Sequence, residues 1–381
     1  RAVDEMQRKI RYADRLRQCA VFSPFYLFRP TWEFDPQFDI RNHVKQIVIQ
    51  PAGDEVQFRE AVSRIFRTKL DRRHPLWAVY VINGAPGGRD AHVVVLHHCV
   101  TDGIGFAKLA AAMFDVERNL DIEAWQPPRA EELPSPVARV LYGAWDAIAT
   151  APAALSRVTR SAASLASRYV GKKGHAARAM LREFRCAPGL RFAFNAPLNG
   201  DASFSFVQFR IEEIARIRAA HGGTMNDVLL AMIGTALHRY ALKHGMEIAG
   251  KHLRVLVPSN VRTVDTQDAY GNFVSLAPVL VPLDSMAARE RLQYVIEYTR
   301  RMKACELARA VSHGIALVQS LLPPPLSRWA HRRFSSAAEQ RKEALSGSLP
   351  KFNLVVTNVP GSPQASFVAG QELRETYVLV P

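Results

Sequence analysis

An apolar run, Val93-Val94-Val95-Leu96, stops at two adjacent histidines, His97 and His98, and four residues after the second comes Asp102-Gly103. A strand that delivers an imidazole to its own end holds a titratable base in a fixed place, and the unperturbed histidine pKa already lies near working pH. Upstream, Leu76 to Ile82 reads as a second strand, and Gly84-Ala85-Pro86-Gly87-Gly88 reads as the turn between the two. Ala91 to His98 is then the antiparallel partner of Leu76 to Ile82. After the histidines, Phe106, Leu109, Ala110, Met113 and Phe114 recur at helical spacing. The order strand, His-His, loop, helix follows, with the glycine expected to turn the backbone tightly beside the base.

At 381 residues the chain is long for one hydrophobic core and divides into two lobes. Residues 1–126 read as mixed α/β, with a helix from about Glu55 to Leu70 on the spacing of Phe58, Val62, Ile65 and Phe66. Pro127-Pro128, Pro134 and Pro136 mark a linker over 127–190, which continues as an alanine-rich helical stretch to about Tyr169. Between Arg157 and Arg185 that linker carries eight Lys or Arg and one acid, Glu183. It reads either as a solvated connector or as a surface for anionic headgroups or phosphates. Residues 191–381 begin again as α/β. A helix runs from Asn226 to Lys243 with Thr224 or Asn226 as its cap. Strands are expected at Leu253–Val257 and Phe273–Val281, then two helices from about Met286 to Leu322. Further strands are expected at Phe352–Thr357, Ser366–Val368 and Glu375–Val380.

The net charge of +15 asks for an anionic partner: nucleic acid, a phosphorylated molecule or an anionic membrane. The basic residues are dispersed or in the linker and no nucleic-acid motif accompanies them, so nucleic acid is set aside. Cys19, Cys99, Cys186 and Cys305 lie far apart, without disulfide or zinc spacing, which favours a reducing compartment. A metal site is disfavoured because adjacent residues of a strand point to opposite faces. No run approaches the ~20 apolar residues of a membrane span, and no signal peptide is evident. The chain opens at Arg1 with no initiator methionine and reads as a fragment.

Ordered companions surround the histidines. Phe38-Asp39-Ile40 with His43-Val44, Pro51-Ala52-Gly53 and Pro75-Leu76-Trp77 precede them. Thr224-x-Asn226-Asp227-Val228, Val257-Pro258-Ser259-Asn260-Val261-Arg262 and Gly271-Asn272-x-Val274-Ser275 follow. Asn353-Leu354-Val355-Val356-Thr357-Asn358-Val359-Pro360-Gly361 comes near the end. His97-His98-x-x-x-Asp102-Gly103 resembles the HHxxxDG signature of the chloramphenicol acetyltransferase, carnitine acyltransferase and condensation-domain superfamily. The ordered set, from about residue 30 to 381, resembles the bacterial wax ester synthase/diacylglycerol acyltransferase family. Against that family's pattern, the opening strand and helix and the last several strands are expected to be missing.

The resemblance implies an α/β fold of two chloramphenicol-acetyltransferase-like lobes, each a mixed sheet with helices, joined by the helical basic linker, with the site in a channel between them. It implies transfer of a long-chain acyl group from acyl-CoA, the substrate, to diacylglycerol or a long-chain alcohol, with no cofactor and no metal. His98 is then the general base, and His97 a packed, hydrogen-bonded residue behind it. Asp102 has two readings: a direct partner that orients His98, or a structural carboxylate paired with an arginine, for which Arg262 is the candidate. The Gly103 amide and the Asn226 side chain are candidate oxyanion donors. Asn226 and Asp227 read equally as helix-capping groups. The implied place is cytoplasmic, at the periphery of membranes or lipid bodies. Transfer from a carrier protein and a non-catalytic lipid-binding module are the alternatives.

Overall fold

The computed structural model describes residues 2–114, 125, 128, 131–169, 171–196, 203–262, 274–335, 349–359, 361, 364–368 and 370–378. The chain opens with helix α1 (Ala2–Lys9), strands β1 (Gln18–Val21) and β2 (Thr31–Phe34), strand β3 (Val44–Val48) and helix α2 (Glu55–Arg67). Then come β4 (Trp77–Ala85), β5 (Arg89–Leu96) and α3 (Gly103–Met113). β4 is central in a three-stranded sheet, parallel to β3 and antiparallel to β5. Its alternation sorts side chains to two faces. Trp77 and Val79 pack with α1 residues and with Leu109 and Met113 of α3. Ala78, Tyr80 and Ile82 pack with Ala61, Val62 and Ile65 of α2. Helices therefore cover both faces, and α3 lies on the same face as Trp77.

The middle of the chain is helical: α4 (Pro136–Tyr169), α5 (Lys172–Cys186), α6 (Ile211–His221) and α7 (Met225–Lys243). Next come β6 (His252–Asn260), β7 (Val274–Pro282), α8 (Ala288–Ala304), α9 (Leu307–Leu321) and α10 (Pro324–Ser335). Three two-residue strands follow: β8 (Leu354–Val355), β9 (Phe367–Val368) and β10 (Gln371–Glu372). Here β6 is central, antiparallel to β7 and parallel to β8. Each lobe thus centres on a strand with one parallel and one antiparallel neighbour, the mixed α/β architecture expected. Leu253, Val255, Ala277, Val279 and Val281 are fully buried in the second core, which also takes Ala177, Met180 and Phe184 of α5. The second half of the basic stretch is therefore packed on one side.

Several boundaries differ from expectation. β4 runs on to Ala85 through a register shift after Ile82. Gly84 sits there at φ +76°, with space closed by the Ile49 carbonyl 3.0 Å from where a Cβ would stand. β6 extends to Asn260 because all nine of its residues find partners on β7. Leu354–Val355 is shorter than the strand expected there, and no strand forms over 375–378. Instead β9 and β10 make a small hairpin, and the segment around it returns to the first lobe, where Glu375 pairs with Arg89 at 3.3 Å. Phe273, Gly271 and Asn272 lie outside the described residues. Among the described residues no helix is long and apolar enough to cross a membrane.

His43 immediately precedes β3 and packs into the first lobe's core. It is buried, stacks on Trp77 with ring centroids 4.5 Å apart, and its Nδ1 lies 2.9 Å from the Trp77 carbonyl oxygen. Burial holds its pKa below the ordinary imidazole value, more than the hydrogen bond to Trp77 raises it. His92, His97 and His252 are depressed in the same direction, each chiefly by burial. An unfolded chain takes up these protons near pH ~6.5 while the folded one resists, so stability is full above that value and declines as pH falls through it. The urea midpoint should fall on acidification from about pH 7 to pH 5, and His43→Asn should flatten that slope. A midpoint that rises on acidification over this range would contradict the assignment.

Candidate active site

β5 ends at Leu96, two residues before the expected end at His98. His97 still donates its backbone N–H to the Leu76 carbonyl at 3.0 Å, the last rung of the ladder. Val100 N–H then closes on the His97 carbonyl at 2.9 Å and turns the chain out of the sheet. The two histidines therefore sit on a tight turn rather than on opposite faces of a strand. Both are exposed, as is Cys99. The expectation that His97 is packed behind the site is corrected: its Nδ1 accepts the Cys99 N–H at 3.2 Å, so the ring lies against its own turn. Partial burial of that ring, then the charges of Arg72 and His98, hold its pKa below the usual value. A neutral ring suits its acceptor role. Partial desolvation on the turn pushes the Cys99 thiol up, away from the thiolate a nucleophile needs.

Val100, Thr101 and Asp102 are buried immediately after this exposed turn. Asp102 is the N-cap of α3, its Oδ1 accepting the Gly105 N–H at 2.9 Å. From the second lobe, Arg262 Nη2 donates to both oxygens of Asp102 at 2.9 Å. The two side chains are only 1% and 4% exposed, so this is a buried ion pair. Arg262 is placed by the end of β6, with its backbone N–H on Asn260 Oδ1 at 2.9 Å. The structure thus brings Asp102 and Arg262 together and occupies both carboxylate oxygens with Arg262 and the helix N-terminus.

Two glycines make the approach possible. Gly103 is the first residue of α3 and its φ is not positive, which corrects the expectation of a tight glycine turn there. What it supplies is room: a Cβ would stand 3.1 Å from Val359 Cγ2 of the second lobe. Gly105 is more constrained, since a Cβ there would fall 1.8 Å from Thr101 Oγ1. Sequence reading passed over Gly105, though the Asp-Gly-x-Gly spacing was a visible signal. Gly103 also occupies a first-turn position where helix amides lack intrahelical acceptors.

Asn226 and Asp227 lie in the first turn of α7, and the cap is Thr224. Asp227 Oδ2 accepts from the Thr224 N–H and hydroxyl, at 2.7 Å each, and Oδ1 accepts from the Thr299 hydroxyl at 2.7 Å. Among the described residues, these side-chain bonds of Asp227 stay between α7 and α8. Asn226 is half-buried beside it. Under α3 an apolar cavity of about 70 Å³ opens against the sheet, lined among others by Trp77, Val79, Leu96, Leu109, Met113 and Val368. Among the described residues no three His, Cys, Asp or Glu side chains are grouped to hold a metal ion.

Residues 1–229 match the wax ester synthase/diacylglycerol acyltransferase catalytic domain, and residues 270–381 match the WS/DGAT C-terminal domain. A Mycobacterium tuberculosis protein named as a probable diacylglycerol O-acyltransferase is 26% identical over 97% of this chain and 76% of its own length. The wax ester synthase/diacylglycerol acyltransferase from Marinobacter aquaeolei shares the fold, with a TM-score of 0.55 and 20% identity over 98% of this chain and 75% of that one.

Removing one member of a buried pair strands the other charge, at a cost of about 3–5 kcal/mol. Arg262→Ala should lower unfolding stability by that order in chemical denaturation, and Asp102→Asn plus Arg262→Ala together should cost less than the sum. Strict additivity would show that the two groups do not act as a pair. Gly105→Ala should destabilise more than Gly103→Ala, as its Cβ meets a nearer neighbour.

Proposed function

Because the chain belongs to the wax ester synthase/diacylglycerol acyltransferase family and is an acyltransferase, we propose that it moves a long-chain acyl group from acyl-CoA to the hydroxyl of diacylglycerol or a long-chain alcohol. His98 is the general base. The observation that carries this reading is the HHxxxDG turn itself. Its carboxylate is buried and locked to Arg262, while the imidazole of His98 stays exposed at the sheet's end, where a hydroxyl can reach it.

In this reading the ring of His98 takes the acceptor's hydroxyl proton as the oxygen attacks the thioester carbonyl carbon. The tetrahedral intermediate collapses by breaking the C–S bond, and the departing CoA thiolate recovers the proton. The product is triacylglycerol or a wax ester. Such a base contributes about 10²–10⁴-fold. First-turn amides of α3, Gly103 among them, and the Asn226 side chain are the proposed donors to the oxyanion. Asp102 acts through geometry, holding the turn, rather than by touching substrate. The apolar cavity under α3 supports an acyl tail as ligand, with no polar partner needed along it. The charge of +15 suits the phosphates of CoA and anionic headgroups, consistent with a cytoplasmic protein working at the edge of a membrane or lipid body.

Palmitoyl-CoA supplied with dioleoylglycerol or hexadecanol should yield neutral lipid, read by thin-layer chromatography. His98→Ala should lower kcat/KM by about 10²–10⁴-fold, and undiminished turnover in that variant would remove the base assignment. Activity restricted to an acyl-carrier-protein donor would overturn the acyl-CoA assignment. A bulkier side chain on α3, Ala110→Phe, should move the kcat/KM optimum toward shorter acyl-CoA, while an unaltered chain-length profile would take the tail out of this cavity.

A further inference from the structure

The cavity under α3 is apolar along its length and polar at one end. Three cross-strand pairs line its sheet wall: Trp77 with Leu96, Val79 with Val94, and Val81 with His92. Leu96 stands beside the histidine turn, so His92 marks the far end, ~13 Å away at the rise of a strand. The helix wall is α3, whose Phe106 and Phe114 stand ~12 Å apart along the axis. Both walls run the same distance from the turn to the same end.

That end is held by α1. Lys9, only 2% exposed, donates to the Met113 carbonyl at 3.1 Å and pairs with Glu5 one helical turn before it. An ammonium buried there supports the last turn of α3 and requires its carboxylate, so Glu5 stays where the cavity ends. Among the described lining residues, Glu5 and His92 are the two that titrate. Trp77 already gives its indole N–H to the Leu16 carbonyl at 2.6 Å. The His92 ring makes no hydrogen bond among the described residues. Burial holds its pKa below the usual imidazole value, although the charges of Asp90 and Glu5 act the other way. A neutral ring offers one donor and one acceptor.

A chain that reached this end with a methyl group would desolvate the imidazole and the Glu5 carboxylate without offering either a hydrogen bond. Burying polar groups in that way is costly. A hydroxyl answers both, since its O–H donates to Glu5 or to the ring and its oxygen accepts from the ring N–H. We propose that Glu5 and His92 recognise a hydroxyl at the far end of the acyl chain, so that the protein takes ω-hydroxyacyl groups in preference to plain ones of equal length. The proposal rests on the reading of this cavity as the acyl-tail site and narrows it from any long chain to one with a polar terminus. A site that hydrogen-bonds a hydroxyl rejects the analogue lacking it more sharply than an apolar pocket sorts chains by one methylene.

The test reads binding to the full chain by displacement of a fluorescent fatty acid. Plain saturated acids from decanoic to palmitic are compared with their ω-hydroxy counterparts. The native protein should bind the hydroxy acid about three- to tenfold more tightly at the length that reaches His92, and no more tightly at shorter lengths. His92→Leu should abolish that preference and bind the plain acid more tightly than the native protein does. His92→Gln, which keeps a donor and an acceptor, should retain it. Ala110→Phe, which fills the cavity, should weaken both acids at that length. Equal binding of the two acids at every length overturns the proposal. So does a preference that survives in His92→Leu, or undiminished binding of the hydroxy acid to Ala110→Phe. If His92→Leu does not fold, the native panel and Ala110→Phe decide the matter. Binding is read without turnover: an inactive protein that shows the preference refutes acyl transfer alone, and an active one that lacks it refutes only the hydroxyl site.

Discussion

The ion pair between Asp102 and Arg262 is the contact on which the rest of the site depends. Asp102 caps the helix that follows the histidine turn, and Arg262 lies just beyond the end of the central strand of the other lobe. One carboxylate thus fixes both the start of α3 and the approach of the second sheet to the first. Desolvation makes such a pair a poor source of net stability, yet breaking it leaves a charge in a place water cannot reach. The contact therefore specifies a geometry more than it strengthens a fold. Gly103 and Gly105 are the steric condition for it, since side chains there would meet Val359 and Thr101.

The short motif separates two jobs by burial. Val100, Thr101 and Asp102 are inside, while His97, His98 and Cys99, one turn earlier, face solvent. A proton-transfer group has to meet its substrate, and a positioning group has to be out of its way. The change from exposed to buried occurs between Cys99 and Val100, where the Val100–His97 hydrogen bond closes the turn. α3 then runs from the cap to the apolar cavity, so the proposed base, the cap and the proposed tail site all belong to one continuous segment from β5 to Met113.

Much of this was legible in the residues. The apolar runs of β4 and β5 around a glycine-rich turn and the 3.6-residue spacing of α2, α3, α7 and α8 are strong local signals, and those elements stand close to where the pattern put them. The two-lobed α/β architecture followed from the motif order. The end of β5 was misjudged because His97 still makes the last rung of the ladder with Leu76 while the turn closed by Val100 already begins at that residue. Over the described part of the strand expected at 375–380, residues 375–378, none forms for a different reason: short strands exist only by pairing, and Glu375 pairs with Arg89 of the first lobe instead. His97 reads as a packed residue only if it belongs to the strand, so that error followed from the first. Gly105 was passed over because its role depends on Thr101, a contact no periodicity reports.

The central claim is that Asp102 serves the site by holding geometry while His98 moves the proton. The pH dependence of kcat/KM in Asp102→Asn distinguishes this from direct partnership. If Asp102 positions, its neutralisation lowers the plateau and the stability but leaves the pH at which activity falls on acidification where it was. If Asp102 is the electrostatic partner of the base, removing its charge shifts that acidic limb by about one pH unit or more. An unmoved limb with a lowered plateau is the predicted result, and a shifted limb would contradict it.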